Sequence, residues 1–596
     1  MMQATRLDQW ARGWRGPLLA ALAALFAGLP GALFLPPLDR DESRFTQATA
    51  QMLETGDFVE IRFQDQPRDK KPVGIHWLQA ASVAATSSAE ARNIFAYRIP
   101  SLLGAMLAAA ACAWGAAAFF GAGPGLIAGL ILAATFLLST EAGIAKTDAV
   151  LCGTTVLAMA ALARLYAASI GLKEPFPKGE SAGWRTRLLF WLGIGVGMLD
   201  KGPVGPMVVL LAGLSLWGVE RRAPWAARMG WAWGLILVLA IVGPWAAAIT
   251  VKTDGAFWGT AIGGDVAPKL KGGQEGHGAP FGLHFLLSPL LFFPAGALLP
   301  AALIEGWKGR KTPGARMALC WLIPGWLVFE ITPTKLVHYT LPLYGALAWL
   351  AVFALGRAWG TRTRWTGAAL SLVAGLFWTA LPIVALIQYG DHAGPVAIAW
   401  MVISALLAAS ASLAGAVMAL SERRRLPALG AALGLGLLAH GAIAGGLAPR
   451  LGSLWLSGRI VALLDQHHLN PRGGLAPGPV TVIGYGEPSL IFALGTETEI
   501  GDAGDGGEAI AEGRPVVVEQ RAMAAFQQEL AADNLKATAL GQVKGVDYSS
   551  GKKEIMTLFR SDSPPPASQV VTAPTNLNAT GPVTGAAPIT APGSIP

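Results

Sequence analysis

Apolar runs of roughly 17–25 residues, each long enough to cross a bilayer as a helix, recur between Pro17 and Leu447, about thirteen of them in all. Short polar loops separate the runs, and one stretch breaks the rhythm: LPPLDRDESRFTQATAQMLETGDFVEIRFQDQPRDKKPVGIHWLQAAS, Leu35 to Ser82, is charge-dense and flanked by apolar segments. Within it Phe45, Ala48, Met52 and Leu53 recur near helical spacing, which predicts an amphipathic surface helix from Glu42 to Glu54, ended by Gly56. An extended FVEIRF, a turn at DQPRD and a second apolar helix from GIHWLQAAS follow. Near Arg450 the pattern changes. SGRIVALLDQHH and MAAFQQELAADN read as helices, PVTVIGYG, PSLIFALG, PVVVEQ and EIMTLFR as short strands, which predicts a small α/β domain. The expected organisation is a polytopic α-helical membrane domain over 1–449, with its first external loop at 37–97, an α/β domain over 450–560, and a Pro/Ala/Thr-rich tail over 561–596 too poor in large apolar residues to order.

Composition agrees: 53% of the 596 residues are hydrophobic, 14% are charged, 21 are Trp, and mean hydropathy is +0.48, which excludes an ordinary soluble domain. The net charge of +8 does not form one aromatic-studded patch, so nucleic acid is set aside as a partner and membrane lipids remain. The basic residues instead alternate between loops. Those with Lys173, Lys178, Arg185 and Arg187, then Arg221, Arg222 and Arg228, Lys308 to Arg316, Arg357 to Arg364, and Arg423 to Arg425 read as cytoplasmic. The loops between them, with Glu141, Lys146 and Asp148, Asp200 and Lys201, Lys252 to Pro280, Lys335 and His338, and Asp391 and His392, then face outward with the first loop. The first apolar run, after Arg6, Arg12 and Arg15, reads as a retained span with the N-terminus inside, and the α/β domain falls outside.

Three blocks of the first loop carry a family resemblance: Asp41-Glu42-x-Arg44, Met52-Leu53-x-x-Gly56-Asp57, and Lys71-Pro72 followed after four residues by Trp77-Leu78-Gln79. Their order resembles the bacterial membrane glycosyltransferases similar to the lipid A aminoarabinose transferase and the protein O-mannosyltransferases. The Lys-Gly-Pro at Lys201 and the Lys-Leu-x-x-Tyr-x-Leu-Pro from Lys335 resemble further family motifs. The resemblance implies the GT-C fold, with a polyprenyl-phosphate sugar as donor. It makes Asp41 the candidate base, with Glu42 orienting it or the sugar, and Asp148 a residue that binds sugar or acceptor. It assigns Lys71, Lys201, Lys335, His338 and Tyr339 to the donor phosphate. Lys70 departs from the family's usual acidic or aromatic residue at that point.

The chemistry fits these residue types. An acceptor attacking an anomeric carbon gains from a carboxylate that takes its proton, whereas a departing phosphate needs positive charge more than a general acid. Each residue also has a structural reading: Asp41 and Glu42 suit a helix start, Asp148 suits a pair with Lys146 or Lys71, and the lysines suit snorkelling. His277, His284, His467 and His468 share no metal-ligand spacing, and no carboxylate cluster calls for a metal, so no cofactor is required. Cys112, Cys152 and Cys320 lie in apolar segments and read as buried thiols. The expected function is inverting transfer of a sugar from a polyprenyl phosphate to lipid A or another envelope glycolipid at the outer face of a bacterial inner membrane. Transfer to protein hydroxyls is the alternative enzyme, and a lipid-linked sugar transporter or flippase the alternative class. A transporter would place charges on broken spans at mid-membrane, where this sequence shows none.

Overall fold

Small residues set how closely the apolar helices approach. The long helices Ile94–Phe120 and Thr147–Ser169 cross where a methyl on Gly104 would lie 2.7 Å from the backbone of Ala149 and Val150, and one on Gly153 would strike the Gly104 carbonyl. That crossing brings the start of the second helix, with Asp148, against the first. The computed structural model describes residues 6–172, 183–266, 268, 278–391, 393–473 and 478–562. Lys173, Lys178, His277 and His392, part of the segment from Lys252 to Pro280, and the tail from 563 lie outside them.

The chain is a multi-span membrane protein. Among the described residues eight helices are long and apolar enough to cross a bilayer, nine if Ala122–Ala134 and Phe136–Ala142, bent by 64°, form one span. The other apolar stretches of the expected set fold as shorter or interrupted helices: Trp184–Lys201, Val204–Glu220, Leu283–Leu291 with Leu299–Lys308, and Tyr344–Leu355. Prolines and glycines at the breaks account for this, since each removes a helical hydrogen bond or frees the backbone. Many outward-facing residues are large and apolar, among them Leu210, Leu239, Leu376 and Ile387, as a lipid-facing bundle requires.

The first loop folds largely as its pattern predicts. Helix Asp41–Thr55 ends at Gly56 in the left-handed conformation (φ 71°). The extended FVEIRF contributes only Arg62–Phe63 to a two-stranded hairpin with Gln66–Pro67, and helix Gly74–Thr86 follows. Gly74 is obligatory, because a β-carbon there would lie 2.6 Å from the Leu199 carbonyl oxygen. The second loop helix is therefore seated directly on the end of helix Trp184–Lys201.

The C-terminal region forms a five-stranded mixed sheet in the order Glu499–Gly501, Thr481–Ile483, Val516–Glu519, Lys552–Ser561, Ala537–Asp547. The first three strands are parallel and the last two antiparallel additions. PSLIFALG is not a strand: Pro488–Leu494 is a helix buried almost throughout. A short apolar run does not distinguish the two periods, and Pro488 at the first helical turn decides for helix. The sheet domain rests on the loop helices. Gln47 donates to Thr496 at 2.8 Å, Gln64 to the Thr496 and Thr498 carbonyls, and Tyr97 meets Phe492 edge-on at 5.4 Å.

Candidate active site

The turn before Asp148 is fixed from three sides. The Ala145 N–H donates to Glu42 at 2.7 Å, the Ala145 carbonyl accepts from Gln79 at 3.1 Å, and the Lys146 carbonyl accepts from Ser101 at 3.2 Å. Loop helices and membrane helices thus meet at one short segment, and a cluster of charge gathers around it. Asp148 lies 2.5 Å from the Lys201 ammonium, 3.6 Å from Lys146 and 3.5 Å from Nε2 of His338. Lys146 also reaches Glu141 at 3.0 Å, and Nδ1 of His338 lies 3.7 Å from the same carboxylate. The Tyr339 ring stands against His338 at 5.4 Å and takes the Lys201 ammonium at 5.8 Å.

Asp41 and Lys71 complete the cluster from the loop side. Arg68 and Lys71 lie over the ring of buried Phe45, at 4.6 and 4.9 Å, and Arg68 approaches Asp41 at 4.0 Å. Burial alone would push the Asp41 carboxyl up, but Lys71, Lys146 and Arg68 together hold it below the ordinary carboxylate range. Its side chain remains about half exposed, at 48%, so an incoming group can reach it. Burial, then the neighbouring Lys201, push the Lys71 ammonium down to about 8, against the opposing pull of Asp41 and Asp148. Burial likewise pushes His338 down to about 3, against the pull of Asp148. His338 is therefore neutral at neutral pH, and its contacts to Asp148 and Glu141 are dipolar.

Two expected residues stand elsewhere. Glu42 does not face the cluster: its carboxylate is fully buried in a two-pronged pair with Arg98, at 2.8 and 2.7 Å, and also accepts the N–H groups of Leu38 and Ala145. With every lone pair engaged, it holds the loop helix to the bundle. Lys335 is buried, but its ammonium is bound by the carbonyls of Ala279 and Thr332, at 3.1 and 2.7 Å, and no described ion pair joins it to Asp148. The turn at 332–336 directs Lys335 toward the segment at 278–279, while His338 and Tyr339 face the cluster. Of the expected set, the structure brings together Asp41, Lys71, Asp148, Lys201, His338 and Tyr339.

Glu141, Lys146, Arg68 and Phe45 join them without having been singled out as site residues. Glu141 and Lys146 had a signal, since charges in STEAGIAKTDAV interrupt an apolar run. Arg68 and Phe45 had none beyond their place in the loop. Asp200 is fully buried beside Lys201, with no hydrogen-bond partner for either carboxyl oxygen among the described residues. The histidines are not gathered: His284 bonds the Leu336 carbonyl, whereas His467 and His468 follow helix Leu456–Gln466 in the sheet domain.

This arrangement of a helical bundle, two loop helices over a buried charge cluster and a sheet domain resting on them is the GT-C fold of membrane glycosyltransferases. Among proteins of that fold it is similar to the aminoarabinose transferases. ArnT from Cupriavidus metallidurans superimposes with a TM-score of 0.69 in its apo state and 0.68 when bound to undecaprenyl phosphate. The two comparisons cover 91% of this chain and 97% of that one, at 19% and 20% identity. Residues 70–247 match the family described as dolichyl-phosphate-mannose-protein mannosyltransferase. In sequence, the undecaprenyl phosphate-alpha-4-amino-4-deoxy-L-arabinose arabinosyl transferase of Edwardsiella ictaluri is 27% identical over 386 residues, 63% of this chain. That of Aeromonas salmonicida is 26% identical over 326 residues, 53% of this chain. The matched stretches span 66% and 57% of those relatives' lengths.

Proposed function

We propose that the protein is an inverting glycosyltransferase of the bacterial inner membrane that moves a sugar from a polyprenyl phosphate to lipid A or another envelope glycolipid on the periplasmic side. The reading rests on the cluster of Lys71, Lys146 and Lys201 around Asp148, with the ionised, half-exposed Asp41 at its rim. A lipid-borne phosphate enters at the end of the bundle, where two half-buried lysines, Lys71 and Lys201, stand close enough for their ammonium groups to repel one another. An anion between them relieves that repulsion. As the acceptor oxygen bonds the anomeric carbon, the bond from that carbon to the donor phosphate breaks and its electron pair passes to the phosphate oxygen. The same ammonium groups stabilise that growing charge, so the step as written draws on no further cofactor.

Asp41 bears on the acceptor. A carboxylate held below its ordinary range is a weak proton acceptor, poorly matched to an unactivated hydroxyl. A phosphate acceptor needs to lose only an acidic proton, which the Asp41 carboxylate takes up as the oxygen bonds the anomeric carbon, and the cations Arg68 and Lys71 beside Asp41 offset the acceptor's charge. This favours a phosphorylated glycolipid over a protein hydroxyl. The arrangement of N-terminus inside and sheet domain outside follows the basic loops and puts the whole cluster on one face.

The test is mass spectrometry of lipid A and core glycolipid from cells lacking the gene, beside cells carrying only Asp41→Asn. Loss of one sugar mass in both, with the variant protein still in the membrane, is the expected result and identifies the sugar class. Unchanged glycolipids in both overturn the glycolipid acceptor and direct the search to secreted glycoproteins. Loss in the deletion alone overturns Asp41 as base.

A further inference from the structure

Arg40, immediately before Asp41, has φ 60° and ψ −108°, a backbone that residues bearing a β-carbon rarely adopt. Such a conformation persists only where its surroundings over-determine it. Two sets of contacts do so. From the membrane side, the Leu38 N–H donates to Glu42, and the Ser43 N–H and hydroxyl both donate to the Leu38 carbonyl. From the other side comes the tip of the hairpin between the last two strands of the sheet domain. There the Asp39 N–H donates to the Tyr548 hydroxyl at 2.5 Å, and Arg40 Nη2 donates to the Ser549 carbonyl at 3.0 Å. The Ser489 N–H of the same domain donates to the Asp39 carboxylate at 3.3 Å.

The tip itself is stiff. Asp547 accepts from the backbone N–H of Ser549 and Ser550 and from the Ser550 hydroxyl, and the Gly551 N–H closes onto its carbonyl at 2.7 Å. Tyr548 is 36% exposed, meets Trp455 edge-on at 6.2 Å and belongs to neither apolar cluster of the sheet domain, so that core has no need of it. Its hydroxyl spends its reach on a peptide two residues from Asp41, more than 500 positions away in the chain.

We propose that Tyr548 is a positioning residue for Asp41: by holding the Asp39 peptide, the sheet domain sets the strained turn that aims the Asp41 carboxylate at the cluster. The consequence for turnover rests on the glycosyltransferase reading above, whereas the consequence for the turn does not. Tyr548→Phe removes only the hydroxyl. In the full-length protein in detergent, amide hydrogen exchange across residues 38–44 is expected to quicken about tenfold, the equivalent of one lost hydrogen bond. With a polyprenyl-phosphate sugar as donor, kcat is expected to fall by a similar factor while the donor KM stays unchanged, because Lys71 and Lys201 are untouched. Unchanged exchange overturns the positioning role whatever the activity. Quickened exchange with unchanged kcat, or a rise in KM alone, overturns the link to Asp41. A wild-type protein that transfers no sugar refutes the glycosyltransferase reading, and exchange then decides the positioning role by itself.

Discussion

Replacing Glu42 by Gln separates two roles that its position beside Asp41 leaves confounded. The Glu42 carboxylate accepts from Arg98 Nε at 2.8 Å, Arg98 Nη2 at 2.7 Å, the Leu38 N–H at 2.8 Å and the Ala145 N–H at 2.7 Å, with both side chains of the pair wholly buried. Gln keeps the shape but offers one acceptor oxygen and turns an NH2 group toward donors, leaving the guanidinium without its counter-charge. Breaking a buried pair from one side costs about 3–5 kcal/mol. Arg98 retains the carbonyls of Leu35 and Pro36, at 2.6 and 2.9 Å, so the cost should fall near 3 kcal/mol, the lower end of that range. The assay is thermal unfolding of the purified variant in detergent, with sugar transfer measured below the transition. The expected result is a midpoint lowered by several degrees and transfer lost in step with folded protein. A variant that melts with the wild type yet transfers nothing would refute the structural reading and return Glu42 to the chemistry.

Two further outcomes depend on pH. Lys71, whose ammonium burial and Lys201 bring down to about 8, is charged below that pH and loses its charge above it. The donor KM is therefore expected to rise as pH climbs from 7 to 9, and Lys71→Arg, which stays charged, to flatten the rise; a flat wild-type profile would count against the role of Lys71. At the contact of the sheet domain with the loop, burial raises Asp39 to about 6, and burial with the nearby Asp39 and Asp547 raises Glu487 to about 7. Both carboxyls take up protons more readily when folded than when unfolded, so their contribution to stability is greatest at low pH and is lost as pH rises from about 4 through 7. Asp547, burial notwithstanding, is lowered by its bonds to Ser550 and Ser549 and opposes the trend. Hydrogen exchange across 38–44 and 485–489 should be slower at pH 5.5 than at pH 8 after correction for intrinsic rates, and Asp39→Asn should reduce the difference.

The bundle, the amphipathic loop helix ended by Gly56 and the change of pattern near Arg450 were legible because each rests on a local period or a local punctuation mark. The pairing of Asp148 with Lys201 was legible only in part. Both sit at ends of apolar runs, but their 2.5 Å contact depends on helices Thr147–Ser169 and Trp184–Lys201 meeting at Gly193 and Gly197, both packed against Thr154, which the charge pattern does not record. Lys335 shows what a motif leaves open, since the sequence carries the lysine but not the carbonyls of Ala279 and Thr332 to which its ammonium donates. PSLIFALG shows the limit of hydrophobicity, for a seven-residue segment buried on every side has no polar face from which a period could be read.

Consecutive side chains on an α-helix point about 100° apart. Once Arg98 has drawn Glu42 inward, the azimuth of helix Asp41–Thr55 is set, and Asp41, where the turn at Arg40 hands over to the helix, falls on the side of Arg68 and Lys71. The order of the two acids is thus a piece of geometry: one is a keel and the other a pointer. Exchanging them, as Asp41→Glu with Glu42→Asp, leaves composition and net charge the same. It would shorten the keel by a methylene and lengthen the pointer by one, displacing both in opposite senses.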